Sequence, residues 1–206
     1  FDFYDAFPGS AINAGRGGVP TGAQTTTSVS GGELTVSCAG GSGNTGTVVG
    51  RRAFGIGYRA EIRAKHTSAA SNSSCATGCG LAIESRQEAA RIYPYDSSKF
   101  RKNATAANTQ TTSDMGQSID SSYHTVWVWL KGTGDTRYQI DSNAVESITT
   151  NNPAKLVPPW LFAYNVSATP TLVVDYVRVR QYVESEPVIS LTEPSVAFVP
   201  RAVLIL

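Results

Sequence analysis

Glu84 and Glu88 are the nearest approach in this sequence to a pair of carboxylates able to share one reaction. On a single strand their even spacing would align both acids, where a proton donor and a base could flank a scissile bond. The segment between them, Ser85-Arg-Gln87, flanks a turn, and two solvated surface acids are the simpler reading. Ser, Asp and His are all present, but only His66 and His124 could serve a triad, and no G-x-S-x-G elbow occurs. The glycine-rich stretches Gly15-Arg-Gly-Gly18 and Gly40-Gly-Ser-Gly-Asn-Thr-Gly46 lack the Gly-Lys-Ser/Thr and helix of a phosphate loop. No catalytic residue is assigned, and the chain is expected not to be an enzyme.

Cys75-Ala-Thr-Gly-Cys79 predicts a small disulfide loop, the glycine easing the bend and Cys38 left as a buried thiol. The competing pairing joins Cys38 to one of the other two. A zinc site needs about four ligands, and only His66 and His124 could supplement the three cysteines, so zinc is not expected. Three sequons, Asn72-Ser-Ser, Asn103-Ala-Thr and Asn165-Val-Ser, fall where loops or strand ends are expected and mark candidate glycosylation sites.

Charged residues make up 16% of the chain against about 25% in an average soluble protein, so Ser, Thr, Asn and Gly must carry the polar surface. That balance suits an extracellular protein. A net charge of +1 leaves no basic excess for nucleic acid and no polybasic stretch for an anionic membrane. Phe1 in place of Met, followed at once by strand-like residues, reads as a secreted chain whose leader has been removed.

The elements that must position these residues read almost entirely as strands. In Tyr58-Arg-Ala-Glu-Ile-Arg-Ala-Lys65, Tyr58, Ala60, Ile62 and Ala64 alternate with four charges, the mark of a half-buried antiparallel strand. Leu34–Cys38 follows the Gly31-Gly32 turn, and Thr47–Phe54, Cys79–Glu84, Ala90–Tyr93, Thr136–Ile140, Val145–Ile148, Trp160–Tyr164 and Leu172–Tyr182 add further strands. Ser85–Ala90 is the only short helical option, and Ser68–Ser74 and Lys102–Gln117 read as polar loops. Many short strands without helices predict an all-β, two-sheet antiparallel sandwich. On Tyr123–Leu130, Val126, Val128 and Leu130 make a core face. Tyr123, Trp127 and Trp129 are then left as an aromatic platform for sugar rings, unless both faces are buried.

Val174-Asp-Tyr-Val-Arg-Val-Arg180 resembles the closing strand of concanavalin A-like jelly rolls, above all laminarinase-type glycoside hydrolases and laminin-G-like domains. Phe1-Asp-Phe-Tyr-Asp-Ala-Phe7 is similar to their opening strand. Tyr123-His-Thr-Val-Trp-Val-Trp129 with Tyr138-Gln-Ile-Asp141 is similar to their "YHTYxIxW…YxIDG" hairpin. The resemblance implies a jelly roll over residues 1–183, with the closing strand beside the first. It also implies an ExDxxE strand in the enzymes, and this chain has no such string. In some relatives the closing-strand Asp holds a structural calcium. Asp175 matches that position, the alternative being a buried Asp satisfied by backbone N–H groups.

Residues 184–206 extend past this pattern as an apolar, proline-punctuated tail. Its candidate strand residues are Ile189, Leu191, Val196, Phe198, Val203, Leu204, Ile205 and Leu206. It could complete its own sheets, derive from a membrane anchor (although its apolar run is too short to span), or insert into a neighbouring subunit as a donor strand. The leading expectation is a glycosylated structural subunit of a cell-surface fibre, a homopolymer joined through that tail. A lectin-like module binding polysaccharide is second, and a glycoside hydrolase or lyase relative third.

Overall fold

The computed structural model describes residues 3–13, 18–21, 24–39, 44–66, 75–83, 85–95, 99–165 and 169–183. Among them there is no helix, and so none long and apolar enough to cross a membrane. The alternation of β6 (Tyr58–His66) sets the pattern: Ala60, Ile62 and Ala64 are buried, and the charged residues point the other way. β6 lies between β11 (His124–Gly132) and β15 (Thr171–Gln181), both antiparallel to it. Outward from β11 come β12 (Asp135–Ile140) and β13 (Glu146–Ile148). The far side of β15 is shared by β4 (Glu33–Cys38), which carries β3 (Thr25–Ser30), and by β1 (Phe3–Asp5). These eight strands form sheet A, with the first strand beside the closing one, as the resemblance implies.

Sheet B has seven strands in the order β10 (Thr109–Ser118), β9 (Lys99–Ala106), β8 (Ala89–Tyr95), β7 (Cys75–Ala82), β14 (Pro159–Asn165), β5 (Asn44–Gly50) and β2 (Gly18–Thr21). The sheets pack face to face into one core. Leu34, Val36, Ile62, Val126, Val128, Ile140 and Val179 face Val48, Leu81, Ile92, Phe100, Ala104 and Leu161 across it. This is the all-β, two-sheet antiparallel jelly-roll sandwich expected. A bulge at Asp175 lets Val174 and Val177, three positions apart, both enter the core.

Several expectations need correction. Ser85–Glu88 is a turn, with Arg86 at φ 60°, and Ala89 and Ala90 already belong to β8. Lys102–Gln117 is no loop but most of the β9–β10 hairpin. Ala107 and Asn108, at φ 47° and 69°, make its two-residue turn, the primed type whose twist suits strand pairing. Cys75 and Cys79 pair with Asn165 and Leu161 along one regular strand. Four extended residues separate their Cα atoms by about 13 Å, whereas a disulfide needs less than about 7 Å. Cys79 is a free, buried thiol, its pKa pushed up to about 12 by burial. Cys38 is buried at the end of β4.

Polar links bind the sheets as well as the apolar core. The buried Tyr138 hydroxyl of β12 donates to the Asn103 carbonyl of β9 at 2.7 Å. Between the sheets the Phe100 ring sits 5.3 Å from the His66 ring and 5.5 Å from the His124 ring. His66 bonds to Thr77, and burial first, then the charge of His124, depresses its pKa from 6.5 to about 3. Burial opposes the His124 cation, but Asp141 at 2.6 Å and Asp120 at 2.9 Å outweigh that penalty and raise its pKa above 6.5.

Tyr138→Phe is therefore expected to lower stability by about 1–2 kcal/mol in urea denaturation; an unchanged midpoint would remove the inter-sheet link. The two histidines have opposite pH signatures. The unfolded chain protonates His66 near pH 6.5 and the folded chain only near pH 3, so stability falls through that window on acidification. The slope is about 1.4 kcal/mol per pH unit. His66→Gln should flatten this acid limb. His124 contributes stability below pH 6.5 that is lost as pH rises through its raised folded-state value. His124→Gln should flatten that alkaline loss instead, as read from denaturation midpoints at a series of pH values.

Candidate functional site

Trp160, Phe162 and Tyr164 alternate on β14 with the core residue Leu161, so all three project from the outer face of sheet B. Arg91 and Tyr93 do the same on β8, alternating with Ile92. Between these strands runs β7, and its outward positions opposite them are glycines. Gly80 is paired with Trp160 on one side and Arg91 on the other; Gly78 is paired with Phe162, and a Cβ built on it would lie 2.7 Å from Tyr93 Cβ. A Cβ at Gly78 would lie 2.4 Å from the Phe162 ring, and one at Gly80 would lie 2.3 Å from the Ala90 carbonyl. The bare backbone of β7 thus forms a trough into which the flanking side chains lean.

They close over it as one cluster. Trp160 stacks on Phe162 with centroids 4.3 Å apart and planes 26° apart, and Tyr93 meets Phe162 edge-on at 6.3 Å. The Arg91 guanidinium lies 5.3 Å, 5.5 Å and 5.7 Å from the Tyr93, Trp160 and Phe162 rings. Burial is the main cause that lowers its pKa to about 10, so it stays cationic at neutral pH. Asn103 of β9 holds it, accepting from Arg91 Nε at 2.9 Å and from Thr105 Oγ1 at 3.1 Å. Trp160 is 0% exposed, and its indole N–H has no partner among the described residues. Tyr93 and Tyr164 remain half-buried and present ring surface. In the next rows outward, Arg101 Nε donates to Asp114 at 2.9 Å; Asp114 is the one carboxylate that the strands of sheet B carry.

The residues singled out in the sequence are scattered by comparison. Trp127 and Trp129 do point away from the core on β11, but Trp129 is 5% exposed, covered by Tyr182 edge-on at 6.4 Å and by Arg59 at 5.4 Å. Lys65 and Arg63 lie over the Tyr123 ring at 4.4 Å and 4.7 Å. Trp129 is therefore closed off and cations lie over the Tyr123 ring, so only Trp127, half-buried, is left of the three as exposed ring surface on that face. Asp175 is bound by the Arg63 guanidinium. That arrangement fits a calcium ion poorly, because a fixed positive charge already takes the carboxylate, and no group of three or more His, Cys, Asp or Glu able to hold a metal occurs among the described residues.

Asn103 cannot carry a glycan in the folded chain: it is 0% exposed and all of its amide is engaged, Nδ2 donating to Gln110 and to the Thr111 carbonyl. Glu88 is not a solvated acid. It is 2% exposed and accepts the Ala107 and Ala154 amides at 3.2 Å and 2.8 Å, tying the β9–β10 turn to the segment before β14. Glu84, Asn72, the Asn165 side chain and the tail strand residues 189–206 lie outside the described residues.

Solved structures share this fold over most of the chain. The β-glucanase of Bacillus licheniformis superposes with a TM-score of 0.66 at 16% identity, over 87% of this chain and 98% of that one. A pseudo β-1,3-glucanase of Mycobacterium tuberculosis, an immunostimulatory antigen, gives 0.64 at 17% identity over 88% and 98%. A β-1,3-glucanase of Mycobacterium marinum gives 0.61 at 20% identity over 86% and 97%. The fold is the concanavalin A-like jelly roll of the β-glucanases. No protein-family model and no curated protein matches the chain. The expectation of a non-enzyme is overturned here: the architecture is one that glycoside hydrolases use, alongside a pseudo-enzyme. A missing ExDxxE string is too narrow a ground for excluding catalysis.

The Trp160 cluster was missed in the sequence, although Trp160-Leu-Phe-Ala-Tyr164 alternates as cleanly as Tyr123–Trp129. The added signal was Gly78 and Gly80, which mark close approach on a strand. Gly80→Ala tests the trough. The new methyl meets backbone at a φ of 154°, so a loss of about 3 kcal/mol is expected in denaturation, with loss of the near-ultraviolet circular dichroism of the ring stack. A neutral substitution would show that the trough tolerates a floor.

Proposed function

We propose that the chain is a glycan-handling member of the glucanase fold that takes a neutral polysaccharide of the β-glucan type along the outer face of sheet B. The observation that carries this reading is the aromatic and arginine cluster over the glycine trough of β7. Sugar rings present apolar C–H faces and a rim of hydroxyls. Partly exposed aromatic surface fixed from beneath, with charged hydrogen-bonding groups nearby, complements both. Tyr93 and Tyr164 supply the ring surface, the Trp160–Phe162 stack holds it, and Arg101 with Asp114 can bond hydroxyls. The proteins of this fold that are named β-glucanases support a glucan in preference to a charged glycan.

Retaining hydrolysis requires two carboxyl groups about 5–5.5 Å apart. The strands of sheet B supply Asp114 alone, so binding is the step for which these residues account directly. No specific observation favours the fibre reading.

Isothermal titration with soluble β-1,3-glucan tests the proposal. Saturable binding is expected, weakened more than about tenfold, or about 1.4 kcal/mol, in Tyr93→Ala and in Tyr164→Ala. Absence of binding to the intact chain, or binding indifferent to both substitutions, would overturn it. Release of reducing ends in the same samples, abolished by Asp114→Asn, would add hydrolysis at that face.

A further inference from the structure

A cavity lies at the opposite edge of the sandwich from β2 and β3, where β10 of sheet B faces β13 of sheet A. It arises from a bulge. Asp114 pairs with Arg101 and Ser118 with Lys99, so three residues of β10 span what one residue spans on β9. The two extra residues swing Met115, Gly116 and Gln117 away from the ladder. The facing wall is the β12–β13 turn, where Asp141 adopts φ 51° and is anchored by its bonds to His124 and to the Thr125 amide. The space between measures about 340 Å³, within the roughly 300–1,000 Å³ of small-molecule sites.

Its lining is mixed in a particular way. Met115 and Ile140 give an apolar floor. Asn143, whose Nδ2 donates to Gln117 Oε1 at 2.6 Å, places two side-chain amides across the mouth. Glu146 supplies a carboxylate whose Oε1 accepts the Gly116 amide at 3.3 Å and whose Oε2 is bound by Lys102. Lys102 is 5% exposed, so a buried cation already neutralises Glu146 and locks its orientation. A ligand here need bring no charge. It needs hydroxyls for the amides and the carboxylate, and an apolar face for Met115 and Ile140.

We infer that this cavity between β10 and the β12–β13 turn binds a single neutral pyranose unit, independently of the outer face of sheet B. It is a site for a sugar residue, walled by the two sheet edges, and not a continuation of the trough over β7.

Met115 is the only methionine in the chain, so its methyl group, carbon-13 labelled in the full-length protein, is a single-line reporter inside the cavity. Titration with laminaribiose, a neutral glucose disaccharide, should move that line saturably. The movement should be lost in Asn143→Ala and in Gln117→Ala, two substitutions outside the core, and should persist in the Tyr93→Ala/Tyr164→Ala double variant. No movement in the intact chain would overturn the inference. So would movement that survives both amide substitutions, or movement lost in the double variant, which would trace the signal to sheet B. Failure of glucan to bind sheet B with the Met115 response intact would sink the earlier reading alone.

Discussion

Sheet A is organised by the demands on one strand. β15 pairs along its whole length with β6 and divides its other edge between β4 and β1, so it joins the two ends of the described chain to the middle. A strand so placed must send its apolar residues inward on both sides of any irregularity. The bulge at Asp175 meets that demand, because it restores the inward phase between Val174 and Val177. The extra residue is left outside, where Arg63 neutralises it. One inserted residue thus accounts for a continuous core, for the strand twist that a bulge brings, and for the charge pairing on the outer face.

Sheet B solves the reverse problem. Its core face is ordinary, but its outer face collects the largest rings the sheet carries. Burying Trp160 and Phe162 there requires a neighbour with no side chain, and β7 provides one at Gly78 and Gly80. The same removal of bulk lets Arg91 lie over three rings instead of reaching into water, at the expense of its solvation. Asn103 repays part of that loss through its bond to Nε. Cluster and trough are therefore one unit: neither the stacked rings nor the buried guanidinium could sit as they do over a strand with side chains.

Much of the architecture was legible because period-two alternation is strong where one face is core. β4, β6, β11, β12 and β15 all show it, and the resemblance of Val174–Arg180 correctly placed the closing strand beside β1. The β9–β10 hairpin was illegible for the opposite reason. Its edge strand is Thr, Ser, Gln and Asp apart from Met115 and Gly116, so no apolar period exists to read, and its turn uses Ala107-Asn108 in place of a glycine. Residue types named from motifs fared worst. Asn103 matches a sequon, Cys75 and Cys79 a small loop, and Trp129 a platform, yet each pattern is silent about burial and direction. Alternation settles the face a side chain takes; it cannot say what the neighbouring strand brings to that face.

Asn103 also carries a consequence in time. Its tripeptide has the form of a glycosylation acceptor, open to modification only while the chain is extended, and Asn103 is a cross-strand anchor once β8, β9 and β10 have paired. The two fates exclude each other, since a glycan has no room where the amide makes four hydrogen bonds. In a compartment that attaches such glycans, this hairpin would run a race against the modifying enzyme during synthesis. The yield of native protein would then be set by how quickly three strands close, a kinetic quantity that the stability of the finished sandwich does not determine.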